Sequence, residues 1–245
     1  MKWIFGLIST FLFLVVALYF FLPIASLKTT NPGKTPFMIS YGGPVAQVWV
    51  PLSQISQNLR WAVVAAEDGQ FYQHQGIDFY EMRQAIKRDF RRKRYSHGFS
   101  TLTMQLAKNL YLSPEKSIFR KGLEILITFK IEKNLSKNRI LELYLNVAEW
   151  APGVFGAEAA AEHYFQKSAA LLSIDEAAFL AAILPNPKRW GQWPPTPYVA
   201  RRREVILARL QSHLQGPVVS PIVPAESESV PELPEEEEWS IESKH

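Results

Sequence analysis

The stretch Glu67-Asp68-Gly69-Gln70-Phe71-Tyr72-Gln73-His74-Gln75-Gly76 puts a carboxylate where an apolar helical run, Leu59–Ala66, gives way to a glycine-bearing loop. A carboxylate there can lose part of its hydration, and partial desolvation makes a usable general base. A surface acid at a helix end fits the same pattern. A second stretch runs Gly98-Phe99-Ser100-Thr101-Leu102-Thr103-Met104-Gln105-Leu106-Ala107-Lys108-Asn109. As a helix starting near Ser100 it has an apolar stripe of Leu102, Leu106 and Leu110, while Thr101, Gln105 and Lys108 share another face. Hydroxyl, amide and ammonium near a helix N-terminus suit an anion, with backbone N–H groups and the dipole helping. A solvated polar face is the plainer alternative.

A third cluster, Arg120-Lys121-Gly122-Leu123-Glu124, falls in a helix expected over about 117–134. Arg120 and Lys121 precede Glu124 by four and three residues and so share its face. Two cations beside one acid keep it ionised, which suits an orienting carboxylate or a metal ligand better than a general acid. Ordinary surface ion pairs are the other reading. Ile118, Phe119, Ile125, Leu126 and Phe129 lie opposite and are expected in the core. A basic run, Arg83, Lys87, Arg88, Arg91, Arg92, Lys93 and Arg94, fits either a solvated helix face or contact with anionic lipid head groups. Ser113-Pro114-Glu115-Lys116 matches the S-x-x-K pattern of acyl-enzymes, but no K-T-G follows. The five His residues show no metal-binding spacing, and His74 is expected to be structural.

The elements that must carry these residues are helices. Asp78 and Glu81 read as a capping box, as do Ser173 and Glu176 ahead of an Ile174–Leu184 helix. Thr196-Pro197 reads as a cap followed by proline at the first helical position. No convincing period-2 strand is visible, so the expected class is mostly α. The chain has 245 residues, room for one domain plus extra segments, and no cysteine, which removes disulfide and thiolate chemistry. Its net charge of +4 hides an acidic end: residues 217–245 carry −7, leaving +11 on the rest. A body that basic favours an anionic partner. Trp3 to Leu27 is 25 residues without a charge, long enough to span a bilayer and longer than a cleavable signal core. The expected layout is a transmembrane anchor over 1–27, a linker over 28–48, a domain over 49–215 and a disordered acidic tail over 216–245. With the domain outside the cytosol, nucleic acid is not an expected partner.

Taken together, these motifs resemble those of the peptidoglycan glycosyltransferases, in particular the monofunctional biosynthetic transglycosylases. The resemblance rests on E-D-x-x-F-x-x-H-x-G from Glu67, G-x-S-T-x-T-x-Q-L-x-K-N from Gly98, R-K-x-x-E from Arg120 and I-L-E-x-Y-L-N from Ile140. Gly156, Ala160, Ala161, Tyr164, Phe165 and Lys167 continue it; Gln70, Phe99, Met104 and Ala151 depart from the family's usual residues. The resemblance implies a lysozyme-like helical glycosyltransferase domain behind one N-terminal transmembrane helix. It implies polymerisation of lipid II onto a growing glycan strand, with Glu67 and Glu124 catalytic and Glu67 the base. Ser100, Thr101, Gln105, Lys108, Asn109, Lys116, Arg120 and Lys121 are then expected to bind substrate. Glu124 is a candidate ligand for a divalent cation, Mg2+ by family habit. Further implied are an inner-membrane location with the domain on the periplasmic side, and cell-wall synthesis or division proteins as partners. No second catalytic domain is seen after Trp190, so peptide cross-linking is not expected. A glycan-cleaving muramidase-like hydrolase and an inactive membrane-anchored scaffold are the competing readings.

Overall fold

The computed structural model describes residues 21–92, 100–115, 117–192 and 194–214. Most of the expected anchor, Lys93, Arg94, Lys116 and the acidic tail from 216 therefore lie outside the described residues. Ten α-helices and three very short strands are present among the described residues: α1 (Pro36–Ser40), α2 (Gln57–Glu67), α3 (Phe79–Arg92), α4 (Leu102–Tyr111), α5 (Ile118–Asn134), α6 (Lys137–Val147), α7 (Ala157–Phe165), α8 (Ile174–Ile183), α9 (Pro187–Trp190) and α10 (Pro197–Leu214). None of these helices is long and apolar enough to cross a membrane.

The helix starts follow local capping chemistry. Ser56 Oγ accepts from Leu59 N at the head of α2, and Ser136 Oγ from Arg139 N at the head of α6. Ser173 and Glu176 complete the expected reciprocal box on α8. Asp78 Oδ1 accepts from Glu81 N before α3, and Thr196 Oγ1 from Val199 N at the start of α10. The buried α8 is apolar all round, Ala177 to Ile183, and packs against α2 and α10. A second group, α4, α5 and α6, packs beside it, and one continuous hydrophobic core joins the two.

Three expectations are corrected. The end of the apolar run is not all anchor: Ile24 and Leu27 form a 3₁₀ turn (Ile24–Lys28) buried in the domain core. Lys130 Nζ donates to Leu22 O and Arg139 Nε to Leu27 O, so cations of α5 and α6 pin this segment. Nor is 28–48 an irregular linker. Thr35 caps α1, Met38 is buried, and β1 (Ala46–Gln47) pairs in parallel with β3 (Val154–Phe155), which pairs antiparallel with β2 (Glu149–Ala151). Strands of two or three residues are too short to show alternation, which is why the sequence hid them. Buried Asn146 locks this seam: its Nδ2 donates to Val50 O at 2.9 Å and its Oδ1 accepts from Val50 N at 3.0 Å.

The third correction concerns α5. Phe119, Leu126 and Phe129 are 72%, 40% and 41% exposed, and Ile125 is half-buried, while Glu124, Ile127, Thr128 and Ile131 face inward. Phe119, Leu126 and Phe129 thus face outward, while Glu124 and Thr128 lie within beside Ile127 and Ile131.

Candidate active site

Glu67 is the last residue of α2, as the apolar run suggested. Its side chain is 10% exposed and both oxygens are held: Gln105 Nε2 donates to Oε2 at 2.9 Å, and Arg202 donates from α10 to Oε1 at 2.9 Å. Arg202 is a partner of Glu67 that the sequence did not single out. It lies in a basic run, Arg201-Arg202-Arg203, of which nothing local says which member turns inward.

The loop after Glu67 is tied to the start of α4. Asp68 Oδ2 accepts from Leu102 N at 2.9 Å, and its Oδ1 accepts from His74 Nε2 at 2.8 Å. Gly76 N donates to His74 Nδ1, which fixes the imidazole as the tautomer with its proton on Nε2. Thr101 Oγ1 donates to Gly76 O and accepts from Met104 N, acting as the cap of α4. His74 is structural, as expected. At the helix start Asp68 and Thr101 accept from the N–H groups of Leu102 and Met104. Thr101 is buried, and the helix begins at Leu102, two residues after Ser100.

Gln105 and Lys108 emerge from α4 beside Glu67. Gln105 also donates weakly to Ser100 O, at 3.4 Å, and its Oε1 accepts from the Tyr144 hydroxyl at 3.0 Å. Ser100 Oγ accepts from Lys121 Nζ at 2.7 Å, and the same ammonium donates to Glu124 Oε1 at 2.6 Å. One hydrogen-bonded chain thus runs Glu67–Gln105–Ser100–Lys121–Glu124 and places the two carboxylates in one site. Glu124 is nearly fully buried, and the Thr128 hydroxyl donates to its backbone carbonyl.

Lys108 lies beside this chain, close enough to feel the charge of both carboxylates. Burial pushes its ammonium below the ordinary lysine value of 10.5; Glu124 pulls it back up, Arg120 and Lys121 lower it again, and Glu67 raises it. It also lies 5.7 Å from the Phe37 ring centre, within cation–π range. A half-desolvated ammonium among other cations is one that an incoming anion would stabilise. Arg120 departs from expectation in detail: its guanidinium bonds the carbonyls of Ser113 and Pro114 rather than Glu124. Asn109 lies half-buried on α4. Lys116 is outside the described residues.

As a metal centre the site is sparse. No group of three or more His, Cys, Asp or Glu that could hold an ion occurs among the described residues. Glu124 fits as the single carboxylate for an ion that keeps its water and phosphate ligands, the way Mg2+ usually binds.

Comparison with known proteins agrees with this geometry. The Transglycosylase family profile matches residues 37–211, which takes in all of α1 but Pro36. Similar curated proteins include the "Biosynthetic peptidoglycan transglycosylase" of Janthinobacterium sp. (strain Marseille), 44% identical over 84% of this chain and 93% of that one. Those of Herminiimonas arsenicoxydans, 45% identical with the same coverages, and of Cupriavidus metallidurans, 46% identical over 77% of this chain and 86% of that one, carry the same name. With the profile spanning most of the chain and these relatives aligned nearly end to end, the protein belongs to the transglycosylase family.

Proposed function

We propose that Glu67 is the general base with which this peptidoglycan glycosyltransferase polymerises lipid II. The acceptor sugar's 4-hydroxyl gives its proton to Glu67 as its oxygen attacks C1 of the growing chain. The C1–O bond to the diphosphate breaks, and undecaprenyl pyrophosphate leaves with the bonding electrons. One displacement turns an α-linked diphosphate into a β-1,4 bond, so C1 inverts. A diphosphate leaving group needs charge neutralisation more than a proton. Lys108, Lys121 and Arg120 supply cations, Lys116, which the sequence places between Glu115 and Ser117, adds a fourth, and Ser100 and Asn109 add polar contacts to the substrate. A divalent ion, Mg2+ by the family resemblance, would neutralise diphosphate charge when bound, with Glu124 as a candidate ligand.

The observation that carries this reading is the hydrogen-bonded chain from Glu67 to Glu124 with the Lys108 ammonium beside it. A hydrolase cutting glycan would need Glu67 to donate a proton and would have no use for that set of cations. Labelled lipid II, offered to the detergent-solubilised full chain with and without chelator, tests the reading. We expect polymer from the wild type and none from Glu67→Gln at unchanged thermal stability. Cleavage of preformed glycan, or full polymerisation by Glu67→Gln, would overturn it.

The substrate is a lipid, and the outer surface suits one. Phe79, Tyr80 and Phe129 line one open depression, and Ile86, Phe119 and Leu126 are also exposed. The exposed cations Arg83, Lys87, Arg88 and Arg91 lie on the same helix as Phe79, Tyr80 and Ile86. Apolar rings beside cations match the acyl and head-group layers of an anionic bilayer. Together with the apolar run before residue 21, this supports an inner-membrane protein with one transmembrane anchor and a lysozyme-like domain held on the periplasmic side. Partners in wall synthesis or division would meet it there.

A further inference from the structure

We infer that Tyr144 is a positioning residue for the base: its hydroxyl donates to Gln105 Oε1 and so anchors the amide whose Nε2 faces Glu67. The inference rests on the reading of Glu67 as the base. A glutamine amide has a donor end and an acceptor end of nearly the same shape, and only its partners choose between them. Two acceptors face Nε2, Glu67 Oε2 at 2.9 Å and Ser100 O at 3.4 Å, and the Tyr144 hydroxyl faces Oε1 at 3.0 Å. The carboxylate and the carbonyl can only accept, so they demand this orientation; the Tyr144 hydroxyl, which can donate or accept, satisfies Oε1 and anchors the amide in it.

Tyr144 projects from α6, whose neighbouring turns are buried on the α4 side, and it is 2% exposed itself. Burial holds its hydroxyl far above the ordinary phenol value, and the charges of Glu67 and Asp68 push it further in the same direction. It therefore stays a donor throughout any pH at which the enzyme works. Without that donor Oε1 would be buried without a partner, and the amide could turn or withdraw from the carboxylate. Glu67 would keep its place at the end of α2 but lose one of the two contacts that aim it.

Tyr144→Phe removes the hydroxyl and keeps the ring, so packing is retained. With rates of lipid II polymerisation normalised to folded protein by near-ultraviolet circular dichroism, we expect kcat to fall by about ten- to a hundredfold. KM should change less than about twofold, because no substrate contact is lost. In a Gln105→Met background the same substitution should change kcat less than about twofold, because Tyr144 acts through Gln105. Wild-type kcat in Tyr144→Phe, or an equal loss on both backgrounds, would overturn the inference. Glu67→Gln in the same assay keeps the two claims apart. If it stays active, the base assignment fails; if it is inactive while Tyr144→Phe is normal, only the positioning role fails.

Discussion

Arg202 and Glu67, 135 residues apart in the chain, meet at 2.9 Å. The contact brings α10 against the C-terminal end of α2, and Arg209 Nη1 donating to Ala65 O at 2.8 Å adds a second tie between the same helices. Glu67 is thus held from two sides, by Arg202 and by Gln105.

Arg202→Met should lower kcat for lipid II polymerisation by about ten- to a hundredfold at nearly constant KM, since a displaced base loses reactive geometry rather than substrate contacts. Arg202→Lys should recover part of the loss, because an ammonium keeps the charge and not the planar fork. Steady-state kinetics on folded variants decide it; wild-type kcat in Arg202→Met would remove Arg202 from the catalytic arrangement.

Lys108 gives a pH dependence whose sign can be stated. Its folded-state value lies below 10.5, so as pH rises the native protein loses this proton before the unfolded chain does. Between the two values the native state binds fewer protons, and the free enzyme's stability gains from Lys108 as pH rises. Diphosphate binding behaves oppositely: it weakens as the ammonium discharges, starting below pH 10.5. KM for lipid II should climb on the alkaline side, and Lys108→Arg should move that climb to higher pH, because a guanidinium stays charged. An identical alkaline limb in both enzymes would rule Lys108 out as its source.

Asp68 should matter for stability first. Its side chain is 3% exposed and joins His74 to the head of α4. Asp68→Ala leaves a helix N–H and an imidazole N–H unpaired, at a cost of about 1–3 kcal/mol each where burial persists. The urea midpoint should fall with an unchanged slope.

Gly156 has a φ of +87° at the cap of α7, and a Cβ there would come within 2.8 Å of Asn146 O. That carbonyl also accepts from Gln47 Nε2 at 2.8 Å, so it is not free to move aside. Gly156→Ala should cost about 1–3 kcal/mol and lower Tm by several degrees in calorimetry.

The outer face yields a separable prediction. Phe119→Ser with Phe129→Ser should leave Tm nearly unchanged, because both rings are exposed, and should reduce cosedimentation of the full chain with anionic vesicles. A drop in Tm would show instead that the rings pack as core.

The local chemistry of this chain was legible residue by residue. Ser173 with Glu176 and Thr196 with Pro197 fixed helix starts through bonds that span three residues, so no distant partner was needed. Glu67 at a helix end, and Lys121 on the face of Glu124, followed from helical spacing in the same way. What spacing could not reveal was anything that depends on a second element. An apolar stripe on α5 reads the same whether it meets core or lipid, so Phe119, Leu126 and Phe129 were assigned inward and lie outward. Ile24 and Leu27 read as membrane span because apolarity does not name its solvent, yet the core takes them. Among three consecutive arginines only the packing of α10 on α2 and α8 chooses Arg202 for Glu67. Short-range hydrogen bonding and periodicity belong to the sequence. The pairing of groups more than a hundred residues apart is decided when helices pack, because only then does burial choose which side chains meet.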